Sequence, residues 1–541
     1  PKQFNLKLRM KMKQLFFVGL MAIAFAGCSG DNAYDNGGGN PIEGDQFMAV
    51  KLVMSGDAAS TRAFGSAGFE AGTEDEVGVT KATFLFFDGE TQVADPYETS
   101  NLDPWTGGTT ESVDKVSASV IVLSNAIKNP TSIVAILNPS TDINITRSTT
   151  LTELKNIKSD YSKYTTAKNF VMSNSVYNAG GKTVIGAPCT ADNIRKTQEE
   201  AKQHPVKIAV EKVVAKVNVK QGDEMAIKTN TVDGNDNVAV DGKTKKVTAE
   251  ITGWWLDNTN STSYLIKKLE TSYASIGSDT WWNDEVNRRS YWATPAVGSF
   301  NHYTYNTANT SDKYCLENTN QDTPTQIVVA ATLKVDGQAM ALVKYLSVVY
   351  TASGFEEELT KLLSNKYYTK TGTGSYTALT KADLVFTYDV AVGKSYEAQI
   401  KVELKGGVSV FTSTTPSDSD SYTQADTATL NTDLDNLKRT VQYWKDGKTY
   451  YYLPIVHNGD ITVTPTTPPA AATHGLYGVI RNHLYKLTIK SINGLGTPVP
   501  NPDEPTTPIT PEKPEDDNSY IAAQIEILKY KVVTQDVDLG L

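Results

Sequence analysis

The chain has 541 residues, of which 39% are hydrophobic and 21% charged, and it carries a net charge of −10. That length is too great for one ordinary core and predicts two domains with appendages, while the acidic balance gives no support to nucleic-acid binding, which calls for a basic face. Abundant strand formers, among them 27 Tyr, stand beside many turn formers, so the composition predicts a β-rich protein.

The first 27 residues read as a targeting segment and are set apart from the fold. Lys2, Lys7, Arg9, Lys11 and Lys13 form a basic region, and residues 15–26 an apolar run too short to span a bilayer as a mature helix. Behind Pro1, Met10 and Met12 are candidate starts. The run ends Phe25-Ala26-Gly27-Cys28, which resembles a bacterial lipoprotein box, in which the cysteine takes the lipid and becomes the new N-terminus. A plain secretory signal cut elsewhere is the alternative. Residues 29–44, rich in Gly, Asn and Asp, read as a tether.

Residues 46–54 alternate, with Met48, Val50, Leu52 and Met54 on one face, the pattern of a half-buried strand. Thr61-Arg62-Ala63 follows, and Arg62 is the only arginine between Arg9 and Arg147. A trypsin-like cut between Arg62 and Ala63 would release the first strand; the plain alternative is a solvated loop arginine. Strands are predicted over residues 79–88, 117–123, 131–137, 169–174 and 206–220, and a short helix over 151–161. Within 206–220 the alternation slips phase between Val210 and Val213, which predicts a bulge or a strand break. Residues 63–222 make the first domain.

A second domain spans residues 223–496. Near its start the oxygen-rich loop 233–237 invites calcium but lacks the bidentate glutamate at loop position 12, which favours a solvated turn. Strands are predicted over 246–256, 327–335, 340–350 and 384–388, with an Asp336-Gly337 turn joining the middle two. A helix is predicted over 355–363, a second Asp-Gly hairpin at Asp446-Gly447, and a closing strand over 479–490. Trp254, Trp255, Trp281, Trp282 and Trp292 are either a sugar platform or, the commoner role, core packing.

Residues 497–518 carry seven prolines; such a leash is extended and reaches roughly 65–70 Å if fully polyproline-like, far enough to meet a neighbouring molecule. The tail, 519–541, places Ile521, Ala523, Ile525 and Ile527 on one face, and Val533, Val537 and Leu539 on one side of a second alternation. Residues 46–54 lie over 519–527 without a gap, so that Met48, Val50, Leu52 and Met54 match Ile521, Ala523, Ile525 and Ile527. Two segments with one apolar face and one length suit the same slot in a sheet. The tail of one copy would then fill the seat vacated by the first strand of another.

No phosphate-cradling loop, nucleophile elbow or paired-histidine metal spacing occurs, and the five histidines are scattered. The reading is therefore non-enzymatic, with no catalytic residue, cofactor or metal. Cys189 and Cys315 are either a disulfide or two buried thiols.

Together these pieces resemble the Bacteroidales type V fimbrillins, in particular those of the short, Mfa-type fimbriae. The resemblance rests on Cys28 in its lipoprotein box, Ser60-Thr61-Arg62-Ala63, the strand from Val210 to Val217, Tyr314-Cys315-Leu316-Glu317-Asn318, Arg481-Asn482-His483-Leu484-Tyr485, and the terminal Lys531-Val532 with Val537-Asp538-Leu539. It departs at Lys212, where such strands often carry arginine, and at Gly540-Leu541, which run past the pattern. It implies an all-β fold of two transthyretin-like β-sandwich domains with short helices and an extended C-terminal donor strand. It also implies a precursor exported as an outer-membrane lipoprotein, with residues 28–62 removed as a propeptide by an arginine-specific, gingipain-like protease. The mature chain would be a surface stalk subunit in a head-to-tail homopolymer, working with accessory tip and anchor subunits in adhesion and biofilm formation. The alternatives are a glycan-binding surface lipoprotein that does not polymerise, and a terminal fimbrial component.

Overall fold

The structure is a computed structural model. It describes residues 46–55, 72–104, 106–107, 113–123, 126–166, 169–179, 182–220, 224–228, 237–268, 300–301, 308–320, 322–388, 400–438, 441–457, 477–499, 520–528 and 534–535.

The first sheet is built from β1 (Gln46–Ser55), β2 (Ala82–Asp88), β3 (Val113–Leu123), β4 (Ser132–Leu137), β5 (Met172–Asn174) and β6 (Val206–Lys212), with a short helix, α1 (Glu74–Val77), ahead of β2. Its order is β2-β4-β5-β6-β1-β3, extended by two-residue strands at both ends. The aromatic run in β2 is buried from Ala82 to Phe87 because its two faces line two cores. Ala82, Phe84 and Phe86 pack with Met48, Val50, Leu52, Ile208 and Val210. Leu85 and Phe87 face the other way and pack with Val213, Val214, Leu265, Ile266 and Leu316, which leads into the second sheet.

The second sheet contains β7 (Val214–Lys220), β8 (Lys243–Asp257), β9 (Lys313–Leu316) and β10 (Gln326–Val335). Farther along the chain it adds β11 (Lys448–Pro454), β12 (Leu484–Asn493) and β13 (Tyr520–Leu528). The phase slip in residues 206–220 is a change of sheet: β6 ends at Lys212, and β7 pairs with β9 and β12. The chain thus enters its second sheet at Val214, earlier than the boundary expected after residue 222. The two sheets share a closing rule, since each pairs its opening strand in parallel with a strand that enters it much later in the chain. In one sheet these are β1 with β6, in the other β7 with β12.

Other elements differ from expectation. Residues 340–350 are two strands, Leu342–Tyr345 and Val348–Thr351, joined by a hairpin in which Leu346 and Ser347 take positive φ without any Gly or Asn. The turn at Asp336-Gly337 joins β10 to the short strand Gln338–Ala339 and goes no further. Asp446-Gly447 is a corner between partners, because Gln442–Trp444 pairs with Leu342–Tyr345 while β11 pairs with β10. The closing strand starts at Leu484, after a left-handed Asn482.

A third core holds the helix α2 (Ala352–Ser364) against the helix Thr427–Lys438. In α2 the Thr351 side chain caps the Gly354 N–H, and Phe355, Leu359 and Leu363 form one buried stripe. The fold remains mainly β.

Candidate strand-exchange site

β1 is an interior strand. It pairs antiparallel with β3, Met48 opposite Ile121 and Leu52 opposite Ser117, and parallel with β6, Val50 opposite Val206, Leu52 opposite Ile208 and Met54 opposite Val210. Met48, Val50 and Leu52 are fully buried, and Val206, Ile208, Val210 and Ile121 line the same core. The face that alternation assigned to the core is the face in the core. With Met54 only the backbone pairing is described.

The tail strand β13 pairs antiparallel with β12 of the same chain. Its register sets Ile527, Ile525 and Ala523 opposite Tyr485, Leu487 and Ile489, and across a bulge sets Ile521 opposite Ile492. On its other side β13 pairs, among the described residues, only with the two-residue strand Thr534–Gln535. The leash is shorter than expected, because Thr497 and Pro498 pair with Tyr450 and Thr449, and Val499 is buried. Cys28, Arg62, Ala63, Val533, Val537 and Leu539 lie outside the described residues, as do Trp281, Trp282, Trp292 and most of loop 233–237.

Between the sheets lies a buried polar joint that the sequence reading missed. The Arg481 guanidinium is fully buried and donates to both carboxylate oxygens of Glu317, to the Leu265 carbonyl at 3.1 Å and to the Tyr264 carbonyl at 2.7 Å. Burial disfavours its charge, but the Glu317 carboxylate outweighs this and holds the guanidinium's pKa above its ordinary value. Beside it, Lys267 pairs with Glu211 of β6 at 2.9 Å, and Ser175 donates to the same carboxylate at 3.2 Å. Such charges are almost never buried unless paired, so Glu211 and Lys212 within the apolar run 206–220 were the available signal.

A second buried carboxylate ties α1 to the second sheet. Glu76 accepts from the Thr73 N–H at 2.6 Å and from the Tyr314 hydroxyl, and pairs with Lys216 at 2.9 Å. Burial would raise its pKa, but the hydrogen bonds from Tyr314, Lys216 and Thr73 prevail and hold it below the ordinary value. Lys216 is shifted upward: burial disfavours its charge, and Glu76 and Asp312 more than compensate.

Trp254 and Trp255 are buried and present no sugar platform. Cys189 and Cys315 are free and buried, and burial pushes both thiols up to about 12. His457 and His483, far apart in sequence, lie side by side: His457 Nδ1 is 2.8 Å from the Tyr485 hydroxyl, and His483 Nδ1 is 2.8 Å from the Arg481 carbonyl. They fasten the turn that leads into β12.

Comparison with known proteins places one region. A family described as major fimbrial subunit protein type IV, fimbrillin, C-terminal, matches residues 442–536. No curated protein matches the chain. Solved structures similar to it include a proposed cell adhesion protein from Parabacteroides distasonis, 13% identical, covering 88% of this chain and 96% of that one at a TM-score of 0.35. Also similar are a fimbrilin from Porphyromonas gingivalis, at 12%, 88%, 96% and 0.32, and the tip fimbrial protein Mfa3 from the same species, at 13%, 89%, 99% and 0.30. Residues 442–536, which run from Gln442 through β12 into the tail, are thus similar to the C-terminal region of the fimbrillins.

Proposed function

We propose that the chain is the structural stalk subunit of a surface fimbria and polymerises by protease-triggered donor-strand exchange. The precursor is carried to the outer membrane by lipid on Cys28. An arginine-specific protease cuts between Arg62 and Ala63, β1 leaves, and residues 519–541 of the next copy enter the vacated seat. Tip and anchor subunits complete the fibre, which serves adhesion and biofilm formation. The observation that carries this reading is the interior position of β1, whose loss opens an apolar slot between β3 and β6 that suits another strand of the same pattern.

The match between Met48, Val50, Leu52 and Met54 and Ile521, Ala523, Ile525 and Ile527 makes the exchange close to isoenergetic, with about 1.5–3 kcal/mol for each larger inward side chain on either side of it. Proteolysis supplies direction. Because donor and acceptor are different surfaces, the contact is head-to-tail and builds an open filament.

The test is electron microscopy of cells expressing Arg62→Ala or a chain lacking residues 520–541. Both variants are expected to leave folded, unpolymerised protein on the surface. Normal fibres in the first would defeat the proteolytic trigger, and normal fibres in the second would defeat the exchange.

A further inference from the structure

The two walls of the β1 slot are held unequally. Apart from β1, β3 pairs only with the two-residue strand Thr106–Gly107 among the described residues, whereas β6 keeps β5 on its far side. Because β3 is antiparallel to β1 and β1 is parallel to β6, β3 runs antiparallel to β6. A shift of one strand spacing, about 4.8 Å, would let β3 pair with β6 directly and close the slot. An acceptor that closes on itself cannot receive a donor.

Three attachments, none of which involves β1, fix β5 and β6 from behind. Ser173 of β5 donates to the Leu265 carbonyl at 2.9 Å, the same oxygen that accepts from Arg481. Glu211 of β6 pairs with Lys267 at 2.9 Å in a fully buried contact. The Lys212 N–H, at the end of β6, donates to Asn482 Oδ1 at 3.1 Å. The turn bearing Asn482 is itself fastened, its N–H donating to the Val214 carbonyl at 2.8 Å and the His483 carbonyl accepting from the Lys216 N–H at 2.9 Å. Buried ion pairs add little net stability over well-packed apolar residues, but they tolerate only one relative position of their partners.

Resting on the exchange reading above, we infer that this joint is a positioning device. Lys267, Glu211 and Asn482 hold β6 as the fixed template edge of the emptied slot, so that an incoming strand finds Val206, Ile208 and Val210 in place and β3 closes onto it afterwards.

The experiment uses the full chain cut after Arg62, with labelled peptides 46–55 and 519–541 offered in excess, and compares wild type with Asn482→Gly and Lys267→Met. Asn482 has φ 58°, so glycine accepts the same backbone conformation while removing the side chain that carries the acceptor oxygen. Cut Asn482→Gly is expected to capture both peptides at least about tenfold more weakly than wild type, equivalent to ~1.4 kcal/mol, while its uncut form melts within a few degrees of wild type. Lys267→Met should lose more, and the reversed pair Glu211→Lys with Lys267→Glu should recover part of the loss. Unchanged capture by Asn482→Gly, or a loss fully matched by the melting of its uncut form, overturns the inference. Should cut wild type capture neither peptide, the exchange reading itself fails, and this inference with it.

Discussion

β1 and β13 carry nearly the same apolar pattern but occupy opposite kinds of place. β1 is enclosed by two full strands, and its removal divides the first sheet. β13 pairs with a single full strand, β12, and among the described residues its other edge pairs only with Thr534–Gln535. The closing rule of the two sheets sharpens this. If β7 corresponds to β1 and β12 to β6, then β13 takes the position that β5 takes in the first sheet, and among the described residues only the two-residue strand Thr534–Gln535 stands where the first sheet has β4. One pattern is therefore integral in one setting and detachable in the other. The difference lies in the neighbours and not in the strand.

The largest expected effect comes from placing the same charge in each strand. Leu52→Asp buries an unpaired carboxylate at a fully buried site and should cost at least about 4 kcal/mol, enough to prevent folding of the precursor. Ile525→Asp, at the matched position of β13, should leave the thermal unfolding of the precursor nearly unchanged and abolish fibres. Circular dichroism melting and electron microscopy give the two readings, and equal destabilisation by both substitutions would break the comparison.

β1 was legible because its alternation is regular and its neighbours are apolar runs of the same period. The partner of β13 was not, since alternation states which face is buried but not which strand lies alongside. In residues 206–220 the phase slip marked a break, but only pairing distinguishes a bulge from a change of sheet. Leu346-Ser347 gave no turn signal because neither residue favours the left-handed region. The helix Thr427–Lys438 went unread although Leu430 and Leu434 recur at helical spacing and are buried. The joint of Arg481, Glu317, Glu211 and Lys267 draws its parts from across the chain, so spacing could not assemble it.

A smaller effect separates the third core from the two strand seats. Leu359 is fully buried on α2, in the third core shared with Leu430 and Leu434 of the helix Thr427–Lys438. Leu359→Ala should cost about 2–5 kcal/mol through lost transfer energy and a residual cavity, with both β1 capture and β13 pairing intact. Denaturant melts reporting this loss alongside undiminished fibre formation would confine the exchange apparatus to the two large sheets. A loss of fibres would extend it.

Acid tests what holds the chain on the far side of the cut once β1 has gone. α1 follows the Arg62 site and is tied by Glu76 to Lys216 and Tyr314 of the second sheet. The folded pKa of Glu76 is depressed below its ordinary value of 4.5, so its contribution is present above the unfolded value and disappears as pH falls through the folded one. Lys216 is shifted above its ordinary value; its contribution is present below the unfolded pKa and is lost as pH rises through the folded one. Glu76→Gln should therefore cost about 1.5–3 kcal/mol near neutrality, the worth of hydrogen bonds to a charged group, and the gap to wild type should narrow as pH falls through the folded pKa of Glu76. Urea melts across that range measure the gap. If it stays constant with pH, the Glu76 charge contributes nothing, and α1 is held by Val77 in the first core alone.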